Sequence, residues 1–385
     1  MRKHRYALGA TLASLAIVLL AACQGNNGGG SGNASGGPTS NLKIGVVTDV
    51  GTLDDHNFNQ FSWEGAKAGA QAIGAAAPKA VVTTQSADYA KNINSFVSQN
   101  YDIIVTVGFA LGSDTTKAAK ANPKIKFIGV DQGICVDAQG NPDSTFACKG
   151  DPAKLLPNYQ GLVFKEQQPG YLAGVVAASI SKSQHIAAIG GTATVPAVPN
   201  YMIGYFNGAK SVNPSIKVEL KYVSAAPDAK AFNDPAGGKA AADQLLSQNP
   251  DIDVLFQVAG KTGNGVLQSA CDHNIHAIGV DVDQFLSTPD TAKCTVVSAE
   301  KKLTKAVSDA IQRVNAKTDK GGTIPLDITT DSVGLSPFHD SQSMITPAIQ
   351  AKIDAAIKGL KDGSIKACVE TPFGACDHKN GLPPA

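Results

Sequence analysis

Apolar residues in this chain fall into short unbroken runs, separated by longer stretches in which they recur at helical spacing. The first run spans Leu42 to Val47 (LKIGVV), and others begin at Tyr101 (YDIIVTVG), Phe127 (FIGVD), His185 (HIAAIG), Asp253 (DVLFQVAG) and Ala277 (AIGVD). Runs that are continuous rather than alternating predict strands buried on both faces, as in a parallel sheet covered by helices. Near the end, Thr346 to Leu360 carries Ile and Ala at helical spacing and predicts a packing helix with no bearing on ligand.

The pattern also repeats. FIGVD, ending at Asp131, returns as AIGVD, ending at Asp281; Gly65-Ala66-Lys67 returns as Gly208-Ala209-Lys210. Each half reads strand, loop, helix, strand, helix, strand, helix, strand. The expected fold class is therefore α/β, with two doubly wound parallel-sheet lobes joined by a hinge. Ligands of such sheets bind beyond the carboxyl ends of the strands. Asp49, Gly108, Asp131, Gly191, Gly260 and Asp281 all fall at those ends, where a cleft between facing lobes would gather them.

Charge changes the picture little. Lys plus Arg number 33 and Asp plus Glu 32. The chain has no basic footprint for nucleic acid. The N-terminus is more telling. A basic start, MRKHR, precedes an apolar stretch from Ala7 to Ala22 that is too short for a membrane span and reads as a secretory signal, residues 1–22. Leu20-Ala21-Ala22-Cys23 resembles a bacterial lipobox, which makes Cys23 the expected lipidation site and acyl chains the expected membrane anchor. Gln24 to Ser40 (QGNNGGGSGNASGGPTS) has almost nothing apolar to bury, so 23–40 is a lipidated cysteine and flexible linker. The remaining cysteines are Cys135, Cys148, Cys271, Cys294, Cys368 and Cys376. Spacing alone does not choose among the connectivities of six cysteines, but their local grouping favours 135–148, 271–294 and 368–376. No CxxC occurs and His273 stands alone near Cys271, so no metal is expected; no cofactor is expected either.

After the first strand comes Asp49 to Gln60, DVGTLDDHNFNQ, a loop with carboxylates and a phenyl ring where a phosphate loop would otherwise stand. Vicinal hydroxyls of a ribose suit a carboxylate acceptor, and a nucleobase suits an aromatic face. A phosphate would be repelled. Asp54 and Asp55 also have a plainer use as caps for a helix beginning near Phe58, and Trp63 reads as packing. His56 reads as an exposed loop residue that could otherwise reach the cleft. VAGKTGNG invites a nucleotide-binding reading, but the P-loop pattern requires glycine where Leu255 stands. No GxSxG, HExxH or dense DxDxxD cluster supports catalysis. The protein is not expected to be an enzyme.

The segments DVGTLDDHNFNQFSWEG, FIGVDQG, FKEQQPGYLAG, FQVAGKTGNGV, AIGVDVDQ and SAEKKLTKAV, in this order from about Lys43 to Ser336, resemble the basic membrane lipoprotein family. Those are purine-nucleoside-binding substrate receptors of ABC transporters with the type I periplasmic-binding fold and three hinge crossings. The resemblance implies an extracytoplasmic, lipid-anchored monomer at the cell membrane that captures a nucleoside and delivers it to a permease. It also implies roles. Asp49 would contact ribose or hold its loop, while Asn57 and Phe58 would face the base. Asp131 would accept from the base edge, with Phe256 as the opposing ring. Gly260 would admit backbone to the sugar, Asp281 would take ribose hydroxyls, and Lys301 would donate to the ligand or orient Asp281. Asn57 stands where many relatives have serine, and Ile134 to Lys149 looks inserted beside Asp131. The alternative is a receptor of the same fold for a pentose or galactose-type sugar. The expected layout is 42–133 plus about 284–328 for lobe 1, and about 160–283 plus about 329–362 for lobe 2. An inserted loop at 134–150 and a tail at 363–385 complete it.

Overall fold

A computed structural model of the protein describes residues 39–370, 376 and 377. The signal segment, Cys23, all but the end of the linker and most of the tail after Glu370 lie outside the described residues.

The first half forms β1 (Ile44–Val50), α1 (Phe58–Ala72), β2 (Lys79–Thr83), α2 (Tyr89–Val97), β3 (Ile103–Val107), α3 (Gly112–Ala121), β4 (Lys126–Val130), α4 (Pro152–Leu155) and β5 (Tyr159–Phe164). The second forms α5 (Gln167–Ile180), β6 (His185–Gly190), α6 (Ala197–Val212), β7 (Lys217–Tyr222), α7 (Ala229–Phe232), α8 (Pro235–Gln248), β8 (Val254–Val258), α9 (Gly260–Asp272), β9 (His276–Asp281), α10 (Gln284–Ser287) and β10 (Thr295–Lys301). The chain then returns through α11 (Leu303–Asn315) and β11 (Gly322–Leu326), and ends with β12 (Val333–Leu335) and α12 (Pro347–Asp362).

Two six-stranded sheets result, in the orders β11-β5-β4-β3-β1-β2 and β12-β10-β9-β8-β6-β7. Pairings are parallel throughout, except that β12 runs antiparallel to β10. The unbroken apolar runs are the central strands; β3 and β8 are buried along their whole length.

The expected boundaries near 160 and 284 each fall one strand early. Tyr159–Phe164 pairs with β4 and β11 in the first sheet, and Thr295–Lys301 pairs with β9 in the second. Each half completes a fifth parallel strand before leaving its sheet. The crossings come between Phe164 and Gln167, at Lys301 to Leu303, and between Leu326 and Val333.

Helices α5 and α6 pack with their backbones nearly touching. A Cβ on Gly170 or Gly174 would lie 2.3 or 2.0 Å from the carbonyls of Tyr201 and Tyr205, and one on Gly204 or Gly208 would lie 2.2 or 2.0 Å from those of Gln167 and Tyr171. Only glycine permits that approach. It sets Tyr201 and Glu166, the residue before α5, close to the strand ends.

The sequence-local cysteine pairs are all bonded: Cys135–Cys148, Cys271–Cys294 and Cys368–Cys376. The first closes the inserted segment, where Asp137 and Asp143 accept backbone N–H bonds from Gln139, Asn141, Thr145 and Cys148.

Candidate ligand cleft

The carboxyl ends of both sheets open on one cleft enclosing about 800 Å³, its mouth included. Asp49, Asp55, Phe58, Asn59, Tyr89, Phe109 and Asp131 line it from the first half, and Val198, Tyr201, Asp228, Phe232, Gly260, Asp281 and Lys301 from the second.

Lys301, at the end of β10, is the centre of its electrostatics and only 3% exposed. Its Nζ lies 2.7 Å from Asp131 Oδ2, 3.3 Å from Asp281 Oδ1 and 3.9 Å from Glu166 Oε1. Burial alone would drive the proton off this amine. Attraction to Asp131, Asp281 and Glu166 outweighs that and holds its pKa above the ordinary value. The ammonium also sits 4.8 Å from the Phe58 ring centroid, a cation–π contact.

Asp131 and Asp281 end the two repeated GVD motifs, and both adopt left-handed backbone, φ +58° and +65°. Asp tolerates that region better than most residues. The turn aims each carboxylate across the sheet end at the same lysine. Asp131 Oδ1 is left buried with no hydrogen-bond partner. Tyr201 donates to Asp281 Oδ1 at 3.2 Å, with the Ala299 carbonyl at the same distance.

Asp49, next to last in β1, packs against Gly108, whose φ is +110° and whose Cβ, if present, would stand 2.5 Å from Asp49 Oδ2. Burial raises the Asp49 pKa to about 7, reinforced by the charges of Asp55 and Asp131 and opposed by a hydrogen bond from Asn59. Asp55 does cap α1: it accepts from the backbone N–H groups of Asn57, Asn59 and Gln60 at 2.8, 2.9 and 3.0 Å. It also lines the cleft, so the capping and cleft readings both apply.

Two expected contacts are placed elsewhere. Asn57 is fully buried, outside the cleft lining, with neither side-chain polar atom hydrogen-bonded. As N-cap of α1 its side chain turns inward, and Asn59 presents the amide to the cleft instead. Phe256 is likewise fully buried, its centroid 6.1 Å from the Tyr201 ring and 5.1 Å from that of Tyr205. It shares a face of β8 with Val258, which reaches the strand end, so Phe256 stops one pleat short. The rings that do line the cleft are Phe58, Tyr89, Phe109, Tyr201 and Phe232. Gly260, at φ +52°, and Lys301 lie where expected. His56 is an exposed loop residue, donating its backbone N–H to Gln60.

Glu166 carried no sequence signal beyond an acid within FKEQQPG. It is 3% exposed, and burial first, then the Asp131 charge, pushes its pKa up to about 8. Phe109, directly after Gly108 at a strand end, could have been found from the register of the repeat. Lys261 of VAGKTGNG contacts no phosphate loop. It reaches across the cleft to Thr52 Oγ1 at 3.1 Å and Asp54 at 3.8 Å, while Asn264 donates to the Asp55 carbonyl at 3.2 Å. The first turn of α9 thus ties the Asp49–Phe58 loop to the opposite lobe.

Two mostly parallel sheets whose strand ends face a shared carboxylate- and ring-lined cleft make up the type I periplasmic-binding fold. An ABC transporter system solute-binding protein from Aeropyrum pernix superposes with TM-score 0.71 at 21% identity, covering 84% of this chain and 92% of that one, which shows the fold. The family described as ABC transporter substrate-binding protein, PnrA-like (Bmp), matches residues 42–366, and the chain belongs to it. Among similar relatives, the CD4+ T-cell-stimulating antigen of Listeria monocytogenes is 30% identical over 95% of this chain and 99% of its own. The ABC transporter nucleoside-binding protein BmpA of Lactococcus lactis is 31% identical over 84% and 88%. Family membership makes the protein a substrate-binding receptor rather than an enzyme.

Proposed function

We propose that the cleft captures a nucleoside, purine favoured, and presents it to the permease of an ABC importer. The observation that carries this reading is Asp131. One carboxylate oxygen is held by Lys301, while the other is a buried acceptor with no partner, a costly arrangement that a ligand donor would relieve. A base-edge N–H or a sugar hydroxyl is such a donor. Asp281, fixed by Lys301 and Tyr201, would take ribose hydroxyls, and Phe58, with Phe109 or Phe232, would cover the base faces. Asp49, Asp55 and Asp228 leave the cleft acid-rich, which favours an uncharged ligand over a phosphorylated one. The similarity to a relative described as nucleoside-binding points the same way.

Delivery follows from the N-terminus. Acyl chains on Cys23 and the linker to Ser40 would tether a monomeric receptor at the extracytoplasmic face of the cell membrane, raising its concentration near the permease. Hinge closure would expel water and strengthen the carboxylate bonds. Isothermal titration of residues 24–385 against adenosine, guanosine, inosine, uridine, ribose and galactose tests the reading. Nucleoside binding without a response to free ribose is expected; binding of a free sugar alone would transfer the cleft to a pentose or galactose-type ligand.

A further inference from the structure

The C-terminal segment grips the first crossing between the sheets from both sides of Glu166. Glu370 accepts from Lys165 Nζ at 2.6 Å and from Gln167 Nε2 at 2.7 Å. It forms an antiparallel bridge with Cys376, which is bonded to Cys368. Cys376 is fully buried, and its backbone N–H donates to Asn200 Oδ1 at 2.8 Å. Asn200 in turn donates from Nδ2 to Glu166 Oε2 at 3.1 Å. The other Glu166 oxygen faces Lys301 Nζ at 3.9 Å.

An amide has one accepting end and one donating end. The Cys376 N–H can be met only by Oδ1, so it dictates that Nδ2 points at Glu166. Without that N–H, the amide can turn its oxygen toward the carboxylate and replace a donor by an acceptor. Among the described residues, the charged and titratable groups facing Glu166 are Lys301 from β10, Asp131 from the end of β4 and Tyr201 from α6. Lys301 is the only cation among them. A Glu166 charge that lost its Asn200 donor would have to draw harder on the lysine that holds Asp131 and Asp281.

We infer that Asn200, oriented by the backbone N–H of disulfide-bonded Cys376, is a positioning residue for the ligand cleft, acting through Glu166 on Lys301. The inference concerns how the cleft is held and rests on the nucleoside reading only for the choice of probe.

The test compares the parent, residues 24–385, with Asn200→Leu, the double variant Cys368→Ser/Cys376→Ser, and all three substitutions combined. Adenosine affinity is measured at pH 8.5, where the parent Glu166 is largely ionised, and at pH 6, where it is protonated. Each variant should lose about tenfold or more at pH 8.5 and less than about threefold at pH 6, and the combination should lose no more than Asn200→Leu alone. Equal losses at the two pH values would mean general loosening and would overturn the inference. So would parent-like affinity in either variant, or additive losses. If the parent does not bind adenosine, the nucleoside that it does bind takes its place; if it binds none, the nucleoside reading fails but the inference is still read by amide hydrogen exchange. Residues 165–170 should then exchange about tenfold faster or more in both variants, and unchanged exchange contradicts it. If the cysteine variant does not fold, Glu370→Gln takes its place with the same expectations.

Discussion

The two halves end their strands in the same register but spend those positions differently. In the first sheet Thr48 pairs with Val107 and Val107 with Val130; in the second Gly190 pairs with Val258. Asp49 is therefore the counterpart of Gly191, and Phe109 of Gly260. Where the first half places a carboxylate, the second places a glycine, and a Cβ on it would come within 2.5 Å of the Phe232 ring. Where the first half places a ring, the second leaves backbone. The GVD ends stay alike: Asp131 and Asp281 share Lys301. Behind them Gln132 and Gln284 plug each sheet end, accepting from Thr106 Oγ1 at 3.2 Å and from the Val280 N–H at 2.9 Å. Duplication thus supplied a symmetric clamp, and divergence at the neighbouring strand ends made one wall acidic and left the other room for a ring.

The comparison is broken most severely by removing what the halves share. Lys301→Met leaves Asp131, Asp281 and Glu166 without their cation, and breaking a buried pair costs about 3–5 kcal/mol. Thermal unfolding should fall by many degrees and binding should vanish; a variant with parent-like unfolding would deny Lys301 its central place. Asp281→Asn comes next. Asparagine tolerates φ +65°, so the turn survives where alanine would strain it, and about 1.5–3 kcal/mol of charged hydrogen bonding is lost, roughly 10- to 150-fold in affinity. Titration with adenosine reads it, and undiminished affinity removes Asp281 from the site. Gly191→Ala should push Phe232 out of place and weaken binding by about tenfold, whereas Phe256→Leu should cost about 1 kcal/mol of stability and leave affinity within about twofold. The reverse ranking would return Phe256 to the cleft.

The smallest expected effect is on pH dependence. Asp49 and Glu166 bind protons more tightly in the fold than in the unfolded chain, where carboxylates titrate near 4. Their contribution to stability therefore falls as pH rises from about 4 and levels off above the folded values near 7 and 8. The ligand-free protein should melt higher at pH 6 than at pH 8.5, and Asp49→Asn should flatten that slope. An unchanged slope would show that Asp49 is not the titrating group.

The GVD ends, the loop before Phe58 and the cysteine pairs were legible because each is a local pattern: a repeated motif, an acid before a helix, neighbours in sequence. Asp49, Phe58, Gly260 and Lys301 follow from the same strand-end logic and from family likeness. Phe256 was misplaced because an apolar run does not announce where its last pleat falls, and one pleat separates a core ring from a cleft residue. Asn57 misled because the N-cap turn, rather than residue type, decides which amide faces out. Tyr201 reaches the cleft through the glycine contact between α5 and α6, and Glu166 reaches Lys301 through an interlobe crossing, neither of which has a periodicity to read. The displaced lobe boundaries have the same origin: the fifth strand of each sheet looks like the opening of the next half.

The most direct measurement is titration of the soluble receptor with adenosine, guanosine and inosine beside their 5′-monophosphates at neutral pH. An acid-rich cleft whose lining lysine, Lys301, is already committed to carboxylates predicts that at least one nucleoside binds and that its monophosphate binds about 100-fold more weakly or not at all. Equal binding of the two, or preference for the phosphate, would contradict it.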